Sequence, residues 1–266
     1  MATPLRQTIL ITGASSGLGE GMAKVFAARG RDLVLCARRL DRLENLASTL
    51  RRAYPRQRFL VRALDVNDAQ AVWQVFLDAH QTLGRVDRIV VNAGRGGASR
   101  LGEGQVGDAM DVARTNFLGA LAQCDAAMRL FRQQGFGHLV TLSSVSAVRG
   151  MPGAMATYSA SKAAVAVLSE ALRNEMKAAN SPIRITTLMP GFIHTDLNAH
   201  QAHKPFAVDV ETGSRALVRA IEQEPGVAYV PGWPWALLAR LLKWLPASQL
   251  PGAQASITTA APSSTN

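Results

Sequence analysis

Short apolar runs alternate with longer stretches of helical periodicity along most of the chain. Thr8-Ile9-Leu10-Ile11 is a run suited to a strand buried on both faces. A glycine-rich turn follows. Residues 17–29 then place Met22, Val25 and Phe26 at helical spacing, with Glu20 and Lys24 among the polar positions. Leu33-Val34-Leu35-Cys36 predicts a second strand. Residues 40–53 predict an amphipathic helix with Leu40, Leu43, Leu46, Ala47 and Leu50 on its apolar side. The alternation continues with a strand at Phe59-Leu60-Val61, a helix over 68–82 and a strand at Arg88-Ile89-Val90-Val91. A long helix over 105–134 precedes a strand at 138–142. A helix over 158–179 and a sixth strand from Ile183 to Met189 complete the series.

Strands separated by helices predict an α/β fold, a doubly wound parallel sheet with helices on both faces. The chain has 266 residues, 48% of them hydrophobic, enough for one large core. With no internal repeat and no linker, residues 1–252 read as one domain. Residues 253–266, rich in Ala, Ser, Thr and Pro, read as a disordered tail. Cys36 and Cys124 form neither a disulfide framework nor a zinc motif, and the five histidines match no metal pattern, so no metal is expected. The first residues lack the pattern of a secretory signal, and no run is long enough to span a bilayer. The expected compartment is cytoplasmic, or peripheral to the inner face of a membrane.

Charge alters this picture locally. The chain carries +10, but residues 29–62 alone hold ten arginines against Asp32, Asp41 and Glu44. A basic chain raises nucleic acid, anionic membrane or a phosphorylated ligand as partners. No nucleic-acid-reading motif is present and aromatics are few, so nucleic acid is not expected.

The first turn reads Thr12-Gly13-Ala14-Ser15-Ser16-Gly17-Leu18-Gly19. Glycines between a strand and a helix let phosphate approach the helix N-terminus. With Asn92-Ala93-Gly94, Asn116, Ser143-Ser144, Tyr158-Ser159-Ala160-Ser161-Lys162, Pro190-Gly191 and Thr195 in that order, the chain resembles the short-chain dehydrogenase/reductase family from residue 8 to about 230. The resemblance implies a Rossmann-like sheet and a nicotinamide cofactor. It assigns cofactor contacts to Gly13, Ser15, Ser16, Gly17, Leu18, Gly19, Asp65, Val66, Asn92, Ala93, Gly94, Tyr158, Lys162, Pro190, Gly191, Ile193 and Thr195. Asp65 is equally placed to cap the following helix. Family members preferring NAD carry an acid at the end of the second strand; Ala37, Arg38 and Arg39 stand there instead. A guanidinium there favours a 2′-phosphate, hence NADP(H), with Arg38 the expected contact and Arg39 peripheral.

Tyr158 and Lys162 lie four apart at a helix start, so they share a face. Tyr158 fits a general acid/base, its phenol pKa lowered by the Lys162 ammonium. Lys162 also fits the nicotinamide ribose. Ser144 is the expected carbonyl-orienting hydroxyl, though it lies 14 residues before Tyr158, against ~13 in the family; Ser143 and Ser146 are the alternatives. Asn116 holds a water behind Lys162, as the resemblance implies, and can at the same time satisfy backbone at a local helix distortion.

Residues 192–208 are the lid candidate, with His194, His200, His203, Lys204 and Phe206 read as solvated loop residues. Residues 233–245, Trp-Pro-Trp-Ala-Leu-Leu-Ala-Arg-Leu-Leu-Lys-Trp-Leu, predict a C-terminal apolar helical segment. Three readings compete: an apolar wall of the substrate pocket, a membrane-surface helix using Trp235 and Trp244, or an oligomer contact. The resemblance also implies a homo-oligomer, dimer or tetramer, with Ala163, Ala164 and Ala166 allowing close helix packing. The combined reading is an NADP(H)-dependent oxidoreductase acting on a small apolar carbonyl or alcohol. A catalytically silent NADP(H)-binding sensor or scaffold is its rival.

Overall fold

The structure is a computed structural model and describes residues 5–97, 99–195 and 206–246. Seven parallel strands form one sheet: β1 (Thr8–Thr12), β2 (Asp32–Ala37), β3 (Phe59–Ala63), β4 (Arg88–Val91), β5 (Gly137–Leu142), β6 (Ile183–Pro190) and β7 (Val227–Val230). Their order across the sheet is β3-β2-β1-β4-β5-β6-β7. The chain winds outward one way from β1 and then the other way from β4. Between these two strands a crevice opens at the carboxyl ends, the usual ligand position in such sheets.

The helices are α1 (Gly17–Ala28), α2 (Leu40–Ala53), α3 (Ala69–Leu83), α4 (Val106–Ala113), α5 (Gly119–Gln134), α6 (Ala156–Ala178), α7 (Val210–Glu222) and α8 (Gly232–Leu242). Strand residues alternate between two cores because successive side chains point to opposite faces. Ile9, Ile11, Leu33 and Leu35 pack with Met22, Phe26, Leu43 and Leu217. Leu10, Val34 and Ile89 pack with Val72, Phe76, Ala127, Phe131 and Val165 on the other face. Every residue of β1, β2, β4 and β5 is buried. That explains their uninterrupted apolar runs.

Three expectations change. The sheet has a seventh strand, β7, on the edge beside β6. The helix expected over 105–134 divides into α4 and α5 around a π-helical turn at Arg114–Leu118. A further helix, α7, packs on α1; a Cβ at Gly21 would lie 2.1 Å from Ser214 Oγ, so the two helices meet through small residues.

Opposite the crevice, Arg88 is fully buried and donates to Glu224 at 3.2 Å and to His138 Nδ1 at 2.8 Å. Arg6 pairs with the same Glu224 at 2.8 Å. Burial lowers the Arg88 pKa to about 10, and burial with nearby arginines keeps His138 well below the usual imidazole range. This network ties β1, β4 and β5 to the turn before β7 and has no contact with the crevice residues described next.

Candidate active site

One cleft runs along the crevice. It is lined from the first turn, past the ends of β2 and β3, to the ends of β4, β5 and β6 and the start of α6. At one end, Gly13 has φ +65°, and a Cβ there would lie 2.9 Å from Ala93 Cα. The β4 exit therefore crosses directly against the glycine turn. Asn92 Nδ2 donates to Thr12 O at 2.8 Å, while Thr12 Oγ1 accepts from the Asn92 and Ala93 amides. Asn92-Ala93-Gly94 thus both stitches the sheet and lines the cleft. Ser16 caps α1 without a side-chain bond to the helix, so its hydroxyl faces elsewhere. Gly17 opens α1 with φ +56°, and a Cβ on it would lie 3.6 Å from Thr195 Cγ2. An uncapped helix start in a glycine cradle suits a phosphate.

Arg39 is not peripheral. Its Nη2 donates to Ser15 Oγ at 3.0 Å and to Ser16 Oγ at 2.7 Å, laying the guanidinium over the glycine turn. Arg38 also lines the cleft, and no hydrogen bond or ion pair involves it among the described residues. The reason for the difference is position. Arg39 is the N-cap of α2, where the chain turns back toward the first loop. The wider cluster is also less free than its charge suggests: Arg29 and Arg31 pair with Glu222, Arg51 with Glu44, Arg58 with Asp32, and Arg62 with Asp78.

Asp65 and Val66 line the cleft, with Leu64 and Asn67. Asp65 does not cap the next helix. Its carboxylate accepts from the Asn67 amide at 3.0 Å, while Asp68 caps α3 by accepting from the Ala71 amide at 2.9 Å.

At the other end, Tyr158 stands one turn before Lys162 on α6, and Ser144 lines the cleft with it, close enough to act on its phenol. Ser144 caps a short 3₁₀ turn, Val145–Val148; its Oγ accepts from the Ser146 amide at 3.2 Å and from Ser146 Oγ at 3.0 Å. Ser143 is used differently, donating to Lys162 O at 2.8 Å. Of the three serines, Ser144 is the one whose hydroxyl acts on the Tyr158 phenol, favouring its ionised form. A second 3₁₀ turn, Gly153–Met155, occupies the loop that lengthens the spacing between them.

Lys162 Nζ donates to Leu142 O at 2.9 Å and lies 5.9 Å from the Tyr158 ring centroid. Burial lowers its pKa from 10.5 to about 8. The Tyr158 phenol is not lowered as expected. Burial raises it above 10, and the Ser144 hydroxyl opposes that rise without reversing it. Desolvation of the phenolate therefore outweighs the help from its neighbours.

Asn116 sits in the π-helical turn and is buried behind the cleft. Its Oδ1 accepts from the Arg95 amide at 2.7 Å and its Nδ2 donates to Arg95 O at 2.8 Å. It therefore satisfies backbone beside Gly94, where an added Cβ would lie 3.1 Å from Asn116 Oδ1 and 3.6 Å from Lys162 Nζ.

Of the expected cofactor residues, Gly19 alone lies outside the cleft lining. A Cβ on it would fall 2.2 Å from Gly13 O, so it packs α1 against the turn. Arg39, Leu64, Asn67, Arg95, Thr115 and Leu142 join the lining. Arg39 was legible as one of a pair; the others carry no motif. Pro190, Gly191, Ile193 and Thr195 line the cleft where the chain leaves β6, with Thr195 beside Gly17. His194 and Phe206 are described, whereas His200, His203, Lys204 and the tail over 253–266 lie outside the described residues. Trp235 is buried, edge-on to Phe192 at 5.6 Å and to Phe206 at 6.4 Å between ring centroids. No group of three potential metal ligands occurs among the described residues.

A glycine cradle with a helix N-terminus, serine hydroxyls and arginines at one end, and a Ser–Tyr–Lys set at the other, fits a nicotinamide dinucleotide. Comparison with known proteins agrees. The short chain dehydrogenase family model matches residues 7–205. An uncharacterized oxidoreductase of Mycobacterium tuberculosis is 52% identical over 241 residues, covering 91% of this chain and 94% of that protein. An alcohol dehydrogenase of Thermococcus sibiricus, solved with 5-hydroxy-NADP, is 26% identical with a TM-score of 0.74, covering 84% of this chain and 95% of that one. A short-chain dehydrogenase/reductase of Burkholderia phymatum, solved with NAD, has the same fold at 23% identity and a TM-score of 0.79, covering 91% and 94%. The chain is an oxidoreductase of the short-chain dehydrogenase/reductase family.

Proposed function

We propose that this oxidoreductase uses NADP(H) to interconvert a carbonyl and an alcohol on a small apolar substrate. The observation that carries the reading is the convergence of Tyr158, Ser144 and Lys162 at one end of a cleft whose other end is framed by Arg38 and Arg39. The nicotinamide, when bound, supplies or accepts the hydride at the substrate carbon.

The chain's own groups hold the remaining roles. Tyr158 is the general acid for reduction, and its raised pKa keeps it protonated at neutral pH. Ser144, beside Tyr158 in the cleft, donates to the carbonyl oxygen as negative charge develops there. Lys162, still mostly protonated at neutral pH with a pKa of about 8, stabilises the phenolate left after proton transfer and reaches the nicotinamide ribose. Asn116 keeps the Gly94-Arg95 backbone clear of Lys162. Pro190, Gly191, Ile193 and Thr195 take the carboxamide end. Asp65 and Val66 take the adenine, and the Ser15, Ser16 and Gly17 turn takes the pyrophosphate.

Arg39 supports the NADP(H) preference, with Arg38 beside it. A 2′-phosphate on the adenosine ribose would replace the serine hydroxyls as Arg39's partner with a charged one. The apolar character of the substrate is supported by Phe192, Phe206 and Trp235 clustered beside Gly191. Exposed Leu121 on α5 and Val167 on α6, beside Ala163, Ala164 and Ala166, support a homo-oligomer built on those helices.

The test is a panel of apolar aldehydes, ketones and quinones with NADPH or NADH, followed at the nicotinamide absorbance. NADPH-dependent turnover of at least one carbonyl is expected. Tight NADPH binding without turnover across a broad panel would instead establish a sensor or scaffold.

A further inference from the structure

The outer face of α8 is used neither by the fold nor by the proposed reaction. Trp235 and Ala239 turn inward and are buried. Leu237, Leu241 and Trp244 follow at spacings of four and three, so they share the opposite side. Trp244 is 87% exposed, and Trp233 at the start of the helix is 77% exposed. Leu237 and Leu241 are each about half exposed. A single exposed leucine means little, but Leu237, Leu241 and Trp244 in one row, with Trp233 exposed at the non-helical entry to α8, mark an interaction surface.

We infer that this face seats α8 flat on an anionic lipid surface. Charge selects the occupant. Arg240 and Lys243 are exposed beside the stripe, and neither makes an ion pair among the described residues. No Asp or Glu follows Glu224 anywhere in the chain. A second copy docking through a two-fold axis would set these cations against their own equivalents, with no carboxylate in the segment to pair them. Anionic headgroups supply the missing charge. Tryptophan at both ends of the stripe suits the headgroup level, where an apolar ring with one polar N–H is best accommodated. Residues 234–244 extend about 15 Å at a helical rise, about half the thickness of a bilayer core. Among the described residues no helix is long and apolar enough to cross a membrane. The helix would therefore lie on the surface.

The docking face is mechanically joined to the cleft. Arg149, at the end of the 3₁₀ turn that Ser144 caps, donates to Leu242 O at 3.2 Å and also to Leu245 O. On the inner side, a Cβ at Gly191 would lie 2.1 Å from the Trp235 indole, so the helix rests directly on the turn after β6. A docked α8 would hold both walls of the cleft next to the lipid, where an apolar substrate is concentrated. This last step rests on the proposed reaction; the docking does not.

The test is vesicle co-sedimentation of the full chain, with phosphatidylcholine alone and with one-third phosphatidylglycerol. Binding to the anionic vesicles that weakens with salt is expected. Arg240→Gln/Lys243→Gln should lower partition about 30-fold. Trp233→Ser/Trp244→Ser should lower it at least about tenfold even at low salt. Both variants should keep the wild-type melting temperature, since the altered side chains are exposed. The inference is overturned if the wild type binds no better than an unrelated basic protein, or if both variants bind as well as wild type. It is also overturned if light scattering shows an oligomer that Trp233→Ser/Trp244→Ser dissociates, which would make the face a contact between copies. Because partition is read without turnover, its failure leaves the proposed reaction standing, and loss of that reaction leaves the docking standing.

Discussion

Replacing Lys162 by methionine removes a buried charge while keeping the side chain's length and apolar stem. Burial lowers the Lys162 pKa from 10.5 to about 8, a difference of about 3 kcal/mol between the two protonation states. The unfolded chain binds the proton more tightly. Wild-type stability from this group is therefore smallest below pH 8 and rises as pH passes from 8 to 10.5. Methionine carries no such penalty but forfeits the bond to Leu142 O, leaving that carbonyl without this donor at a cost of about 1–2 kcal/mol. The variant should then be about 1–2 kcal/mol more stable than wild type at pH 7 while losing turnover. By pH 10 the penalty falls to about 1 kcal/mol, so the advantage should disappear and the wild type should be equal or up to about 1 kcal/mol more stable. Urea unfolding of both proteins at the two pH values measures it. Comparing the pair matters because Cys36 and Cys124, pushed up to about 12 from 9.0, stay protonated in the fold while the unfolded chain ionises. They lower stability as pH rises in both proteins alike. A variant less stable than wild type at pH 7, or a difference that does not change with pH, would refute the reasoning.

Two further substitutions test the other end of the cleft. Arg39→Ala should raise the NADPH KM about 5–30-fold and leave the NADH KM nearly unchanged, while Arg38→Ala has the smaller effect; steady-state kinetics with both cofactors separate them. Gly13→Ala should weaken binding of either cofactor and destabilise the fold by more than about 1 kcal/mol, because its φ is +65° and the new Cβ meets Ala93; calorimetry and thermal unfolding read the two effects.

The fold was legible where strands are central. Ile9 to Ile11 and Leu33 to Cys36 are buried on both faces, so their hydrophobicity is continuous. β7 was missed because it is a four-residue edge strand whose first residue, Val227, is exposed. The π-helical turn left no periodicity of its own, since it spans only five residues, Arg114–Leu118, inside an otherwise continuous helical pattern. In the site, Tyr158, Lys162 and Ser144 were legible through spacing and order. The rise in the Tyr158 pKa was not, because it depends on how much water the surrounding loops exclude. Arg38 and Arg39 are adjacent in sequence. Only the turn into α2 decides which one reaches Ser15 and Ser16. The C-terminal segment read as uniformly apolar, but the buried Trp235 and the exposed Trp233 and Trp244 have opposite roles.

The central claim is that Tyr158 transfers the proton in an NADPH-dependent carbonyl reduction. Tyr158→Phe keeps the ring and removes only the hydroxyl. With an apolar carbonyl that the wild type reduces, the account predicts a kcat at least about 100-fold lower and an NADPH Kd within about twofold of wild type. Turnover by Tyr158→Phe at the wild-type rate would contradict it.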